Sequence, residues 1–100
     1  MLIRKAELQD AETVYVLICE LEEQVLPQSE FIRSFSSLLK LPEHFLLIGE
    51  IDGKAAAFLH LRVEEQLHHA AKIAEILEFD VAQAYRGRQL GQQFFAHAKK

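Results

Sequence analysis

The residues best suited to chemistry lie between Glu75 and Phe95. A strand pattern ends at Val81, the loop Arg86-Gly87-Arg88-Gln89-Leu90-Gly91 follows, and a helical pattern starts at Leu90. Glycines and successive backbone N–H groups at a helix N-terminus form a cradle for an anion. Arg86 and Arg88 add positive charge where a pyrophosphate sits. The Lys-Ser/Thr pair of a P-loop is absent. An Arg-Gly pair in a strand-to-helix loop also occurs as a plain turn with solvated charges, and the hexapeptide alone leaves both readings open.

Other candidates flank this loop. Glu75 and Glu78 stand among apolar strand residues, and a desolvated carboxylate there has a raised pKa, which suits a base. The alternative is a paired structural acid at Glu75 and a solvated strand residue at Glu78. His68 and His69 have the chemistry to bind an anionic group, relay a proton or ligate a metal, or are exposed polar filler. His44 and His60 fall on strand patterns that bring them near this region. Arg62 reads as a surface cation, with an anionic substrate group as the alternative. Cys19 reads as packing. No metal site is assigned.

These residues need a frame to position them. Leu2 to Ala6 reads as a strand. Asp10 reads as the cap of a helix whose apolar face is Ala11, Val14, Leu17, Ile18 and Leu21. Pro27 breaks the chain, and Ser29 reads as the cap of a second helix with Phe31, Phe35, Leu38 and Leu39 on one face, ended by Pro42. His44 to Ile51 is a compact apolar strand. Asp52-Gly53 marks a hairpin, since both residues tolerate positive φ. Lys54 to Glu65 returns, with Ala55, Ala57, Leu59, Leu61 and Val63 alternating against Ala56, Phe58, His60, Arg62 and Glu64. Gln66 to His69 is a polar break. In the strand Lys72 to Val81, alternation places Glu75 with Ile73, Leu77, Phe79 and Val81, and Glu78 and Asp80 on the other face. The last helix packs Phe94, Phe95 and Ala98 inward. The order β-α-α-β-β-β-α gives an α+β (α/β) fold, a mixed, mostly antiparallel sheet with flanking helices.

The chain has 100 residues, which favours one domain over residues 1–100. It is 50% hydrophobic and 26% charged, too apolar for a disordered chain. Its single cysteine excludes an internal disulfide or a Cys-based metal site. No apolar run approaches the roughly 20 residues needed to cross a bilayer, and charges at Arg4, Lys5 and Glu7 interrupt any signal-peptide core. The expectation is a cytoplasmic domain with no membrane partner. A net charge of -4 argues against general nucleic-acid binding.

The order of elements and the loop together resemble the GCN5-related N-acetyltransferase (GNAT) family. That family binds acetyl-CoA through an Arg/Gln-x-x-Gly-x-Gly/Ala loop, a pattern occupied by Arg86, Gly87, Arg88, Gln89, Leu90 and Gly91. Phe79-Asp80-Val81 and Tyr85-Arg86-Gly87 keep its spacing. Gln89 stands where a glycine is usual and Gln83 where proline is common. Within the family, Tyr15 to Leu21, Leu67-His68-His69 and Glu75-Ile76-Leu77-Glu78 resemble aminoalkylphosphonate N-acetyltransferases, which acetylate the amine of small aminophosphonates.

The resemblance implies acetyl-CoA as acetyl donor and a small-molecule amine as acceptor. It implies that Phe79 and Val81 align the cofactor through backbone groups, beside a bulge that opens the groove. The loop from Arg86 to Gly91, with Gln92, holds the pyrophosphate. A Glu on this strand serves as general base, Glu75 first by position and Glu78 second. His68 and His69 fall to the substrate side. The family's domain is about half as long again, so the resemblance implies a chain lacking the C-terminal third and its general acid. Neither Tyr15 nor Tyr85 occupies the position of that acid. An edge left open on the fourth strand implies self-association, with a homodimer expected. The alternative function is an inactive remnant that binds CoA or only associates.

Overall fold

The computed structural model describes residues 1–67, 71–87 and 92. The element order is β1 (Leu2–Lys5), α1 (Ala11–Glu22), α2 (Gln28–Leu39), β2 (His44–Ile51), β3 (Lys54–Gln66) and β4 (Ala71–Val81), with 3-10 turns at Leu8–Asp10 and Gln83–Tyr85. The strands form one sheet in the order β1-β2-β3-β4, every neighbouring pair antiparallel. The α+β architecture is therefore as expected up to β4. The final helix, with Phe94, Phe95 and Ala98, lies outside the described residues.

The core forms because two amphipathic helices cover one sheet face. Ala11, Val14, Leu17 and Ile18 of α1 and Phe35 of α2 are buried against Leu46, Ile48 and Phe58. Phe31 stacks on Phe35 at 6.3 Å between centroids and meets Tyr15 edge-on at 5.3 Å. The Tyr15 hydroxyl donates to the Leu26 carbonyl at 2.6 Å, tying the α1–α2 connection to α1. Leu47, Ala57, Leu59 and Leu61 make a second apolar cluster on the other sheet face, with Phe79 and Val81 packed on it.

Several local expectations are corrected. Asp10 is the N-cap residue of α1 by position, but its side chain makes no cap hydrogen bond to the helix. Its carboxylate turns back, accepting the Glu7 N–H at 2.7 Å and two Arg4 hydrogen bonds at 2.8 Å. Ser29 lies inside the first turn of α2, whose N-cap is Pro27. Leu21 is exposed, because the inward stripe of α1 is complete at Ile18 and the helix ends at Glu23 in the left-handed region. The Asp52-Gly53 turn is as expected, with φ of 53° and 76°.

Two bulges reset the strand faces. Gly49 faces Ala57 while Glu50 faces Ala55, so Ala56 is an extra residue in β3. Ala55 thereby joins Phe58 on the helix side, against the simple alternation. His60 faces Glu78 while Leu61 faces Ile76, so Leu77 is an extra residue in β4. A bulge inverts the phase of everything on one side of it. Glu75 thus lies opposite Arg62, on the same face as Glu78 and Asp80, not with Phe79 and Val81 as alternation placed it.

Candidate active site

β4 is an edge of the sheet among the described residues. The Ala82 N–H donates to the Ala56 carbonyl at 2.8 Å. This sets the parity of the ladder, because hydrogen-bonded and non-hydrogen-bonded pairs alternate in antiparallel strands. Asp80 opposite Phe58 and Glu78 opposite His60 point their backbone groups at β3, while Phe79 and Val81 direct theirs to the outer edge. The side chains follow the reverse rule: Glu78 and Asp80 project toward the helices, and Phe79 and Val81 pack on the opposite cluster.

On the helix side, a cavity of about 420 Å³ lies between α1, α2 and the sheet. Its wall is apolar, with Ile18, Phe31, Phe35, Leu46 and Phe58 among the lining residues, and its polar lining includes Glu78 and His60. Burial pushes the Glu78 carboxyl above the usual range, and the nearby charges of Asp80 and Glu22 push in the same direction. Asp80 is raised by burial and then by Glu22. Its Oδ2 is buried without a hydrogen-bond partner among the described residues.

His60 is buried, and its ring nitrogen Nε2 lies 2.9 Å from Nδ1 of His44 on β2. Burial, and secondarily the charge of His44, lowers the His60 pKa. Arg62 is not a solitary cation. Its guanidinium donates to Glu75 at 2.7 Å and lies 3.8 Å from Glu64. Glu75 is accordingly a paired acid. Among the described residues no cluster of three or more His, Cys, Asp or Glu is placed to hold a metal ion.

Beyond β4, the Glu20 carboxylate accepts the Gln83 N–H at 3.1 Å, anchoring the following turn to α1. The Arg86 Nε donates to the outward Val81 carbonyl at 3.2 Å. Gly87 has φ of 83°, and among the described residues nothing lies within 4 Å of the Cβ a substitution would add. A glycine backbone open to approach beside a guanidinium fits a phosphate-bearing ligand. Gln92 is helical and exposed. Arg88, Gln89, Leu90 and Gly91 of the loop, and His68 and His69, lie outside the described residues.

Sequence reading alone missed the His44–His60 contact and the burial of Asp80 beside an exposed Glu78. One signal for the bulge was present. Ile76-Leu77 is a pair of adjacent apolar residues, which breaks an alternation that is otherwise regular from Leu77 to Val81.

An antiparallel sheet covered on one face by two helices, with an edge strand leading into an arginine-glycine turn, is the architecture to set beside known proteins. Residues 8–100 match the Acetyltransferase (GNAT) family, and the chain belongs to that family. It is 33% identical over 98 residues to the aminoalkylphosphonate N-acetyltransferase of Salmonella typhimurium, covering 98% of this chain and 64% of that protein. The chain therefore spans just under two thirds of the length of this curated relative. Glucosamine-6-phosphate N-acetyltransferase from Arabidopsis thaliana is similar at 28% identity, with a TM-score of 0.71 over 92% of this chain and 67% of that one. A GNAT family acetyltransferase from Staphylococcus aureus shares the fold at 15% identity, with a TM-score of 0.82 over 98% of this chain and 74% of that one. Among the described residues no helix is long and apolar enough to cross a membrane.

Proposed function

We propose that the protein is an acetyl-CoA-dependent N-acetyltransferase acting on the primary amine of a small molecule, an aminoalkylphosphonate. The observation that carries this reading is the placement of Glu78. Glu78 lines an apolar cavity, and directly after it β4 turns backbone groups to the outer edge at Phe79 and Val81. Acetyl-CoA supplies the acetyl group as an activated thioester. Glu78 accepts a proton from the acceptor ammonium, a task for which a carboxylate with a raised pKa is suited. Glu75 is the weaker candidate, because Arg62 already occupies its carboxylate. The backbone edge at Phe79 and Val81 orients the donor, and Arg86 and Gly87 contribute to holding its phosphates. The aminophosphonate acceptor follows from the 33% identical relative. The exposed side chains of Ile76 and Leu77 near the sheet edge support pairing with a second copy.

Calorimetric titration with acetyl-CoA, followed by a thiol-release assay with 2-aminoethylphosphonate and a panel of primary amines, tests this function. Saturable binding and amine-dependent thiol release are expected. Absence of binding at millimolar acetyl-CoA overturns the cofactor assignment. Binding without release for every amine overturns the enzyme and leaves a CoA-binding module. Solution mass tests the dimer, which a clean monomer overturns.

A further inference from the structure

The segment that carries Arg86 and Gly87 away from β4 is a short, self-closed unit. Gln83–Tyr85 forms a 3-10 turn. The Tyr85 N–H donates to the Ala82 carbonyl at 2.9 Å, and the Arg86 N–H to the Gln83 carbonyl at 3.4 Å. Arg86 and Gly87 follow at the end of this unit and move with it. Its start is fixed to the sheet, since the Ala82 N–H donates to Ala56. The direction in which it leaves the sheet depends on an anchor further along.

We propose that Glu20 is a positioning residue for acetyl-CoA. By accepting the Gln83 N–H, its carboxylate holds the turn in the orientation in which Arg86 and Gly87 meet the donor's phosphates. The proposal rests on the acetyl-CoA-dependent reading above.

The geometry of α1 and of the turn supports it. The Glu20 Oε1 lies 3.1 Å from the Gln83 nitrogen, a contact between residues 63 apart in the chain. Leu17, Glu20, Ala55 and Ala82 line one groove between α1 and the sheet, and Glu20 reaches across it. Leu17, one helical turn earlier, is buried, so the backbone beneath Glu20 is fixed. The first N–H groups of a helical turn have no acceptor within it, and a carboxylate is a strong outside acceptor. For α1 itself Glu20 is poorly placed. It lies in the last turn, near Glu22 and with no basic residue there, where the helix dipole disfavours negative charge. The Gln83 N–H gives that carboxylate a use beyond its own helix.

The bond exists before the donor arrives, so it adds no contact to the complex. It acts by raising the fraction of molecules whose turn is already competent, and apparent affinity scales with that fraction. An exposed hydrogen bond of this kind supports an effect of about fivefold.

Calorimetry with acetyl-CoA and steady-state kinetics with 2-aminoethylphosphonate test the proposal on the full chain. Glu20→Ala is expected to weaken acetyl-CoA binding about fivefold and to raise the acetyl-CoA KM likewise, with kcat at saturation and the amine KM unchanged. Glu20→Gln keeps an oxygen acceptor and is expected to recover most of the affinity. Gln83→Pro removes the donor. Proline is compatible with the first position of the turn, and the preceding Ala82 has the extended ψ, 141°, that proline requires. In the Gln83→Pro background, Glu20→Ala is expected to have no further effect on affinity. Unchanged affinity in Glu20→Ala, a Glu20→Gln variant as weak as Glu20→Ala, or a full fivefold loss in the proline background each overturns the role of Glu20 while leaving the acetyltransferase intact. A wild-type chain that does not bind millimolar acetyl-CoA overturns the cofactor reading and the proposal with it.

Discussion

Glu78 and Asp80 stand two residues apart on one face of β4, and the Asp80 charge, after burial, pushes the Glu78 carboxyl upward. Asp80 is 4% exposed, with Oδ2 unpartnered among the described residues, while Glu78 lines the cavity. Replacing Asp80 with Asn removes a like charge from beside Glu78. The acid limb of the rate–pH profile is expected to move to lower pH, toward the ordinary carboxylate range. A limb that stays in place shows that the two groups are uncoupled.

The same residue bears on stability. A carboxyl whose folded pKa is raised binds its proton more tightly in the native state, so its contribution is fully present below the unfolded value of 3.8 and is lost as pH rises through the folded value. Asp80→Asn is therefore expected to raise stability by about 1 kcal/mol at pH 8 and to have little effect at pH 3. Urea denaturation at the two pH values measures the difference.

Glu78 and Glu75 are separable by mutation. Glu78→Gln is expected to lower kcat by about 100-fold, the range for a lost general base, with acetyl-CoA affinity unchanged. Glu75→Gln breaks the exposed Arg62 pair and is expected to cost less than about 1 kcal/mol of stability, with kcat within a factor of about three. Steady-state kinetics on both variants decides which carboxylate serves the amine.

Arg4 and Asp10 give a second pH signature with the opposite sign. The guanidinium holds the Asp10 carboxyl below its ordinary value, and burial opposes this only partly. The resulting stability is present above the unfolded value of 3.8 and is lost as pH falls through the lower, folded value. Asp10→Ala removes two charge-assisted hydrogen bonds and the acceptor for the Glu7 N–H. A loss of about 2 kcal/mol at pH 7 is expected, because such bonds are the stronger ones. It should diminish as pH falls below 3.8 and through the lower, folded value, as thermal melting across the acid range would show.

Gly87 tests the phosphate turn. Its φ of 83° disfavours any side chain, although no described residue lies within 4 Å of the added Cβ. Gly87→Ala is expected to weaken acetyl-CoA binding by about tenfold through backbone cost alone, roughly 1–2 kcal/mol, with the melting temperature nearly unchanged. Unaltered affinity places the phosphates elsewhere.

Much of this was legible in the linear chain because the signals are local. Asp52-Gly53 specifies its turn through the backbone freedom of the two residues themselves. The stripe from Ala11 to Ile18 and the run from His44 to Ile51 carry their periods within a few residues, so the helix and strand boundaries followed. The Arg86-Gly87 turn and the spacing around Phe79 were enough for the family, which the match over residues 8–100 establishes.

The arrangement of the site was not local, and tertiary structure decided it. Asp10 sits at the N-cap of α1 as its sequence position suggests, but the strand that brings Arg4 alongside takes its carboxylate away from the helix. The sides of β4 depended on one extra residue, Leu77, which is defined only by pairing with β3. That bulge turned Glu75 toward Arg62 and left Glu78 at the cavity. His44 and His60 are 16 residues apart in sequence and meet only because the β2–β3 hairpin folds them together. Residue types are written in the sequence, but which carboxylate is paired, which is desolvated and which rings touch are properties of strand register. Register is set by packing both faces of the sheet at once.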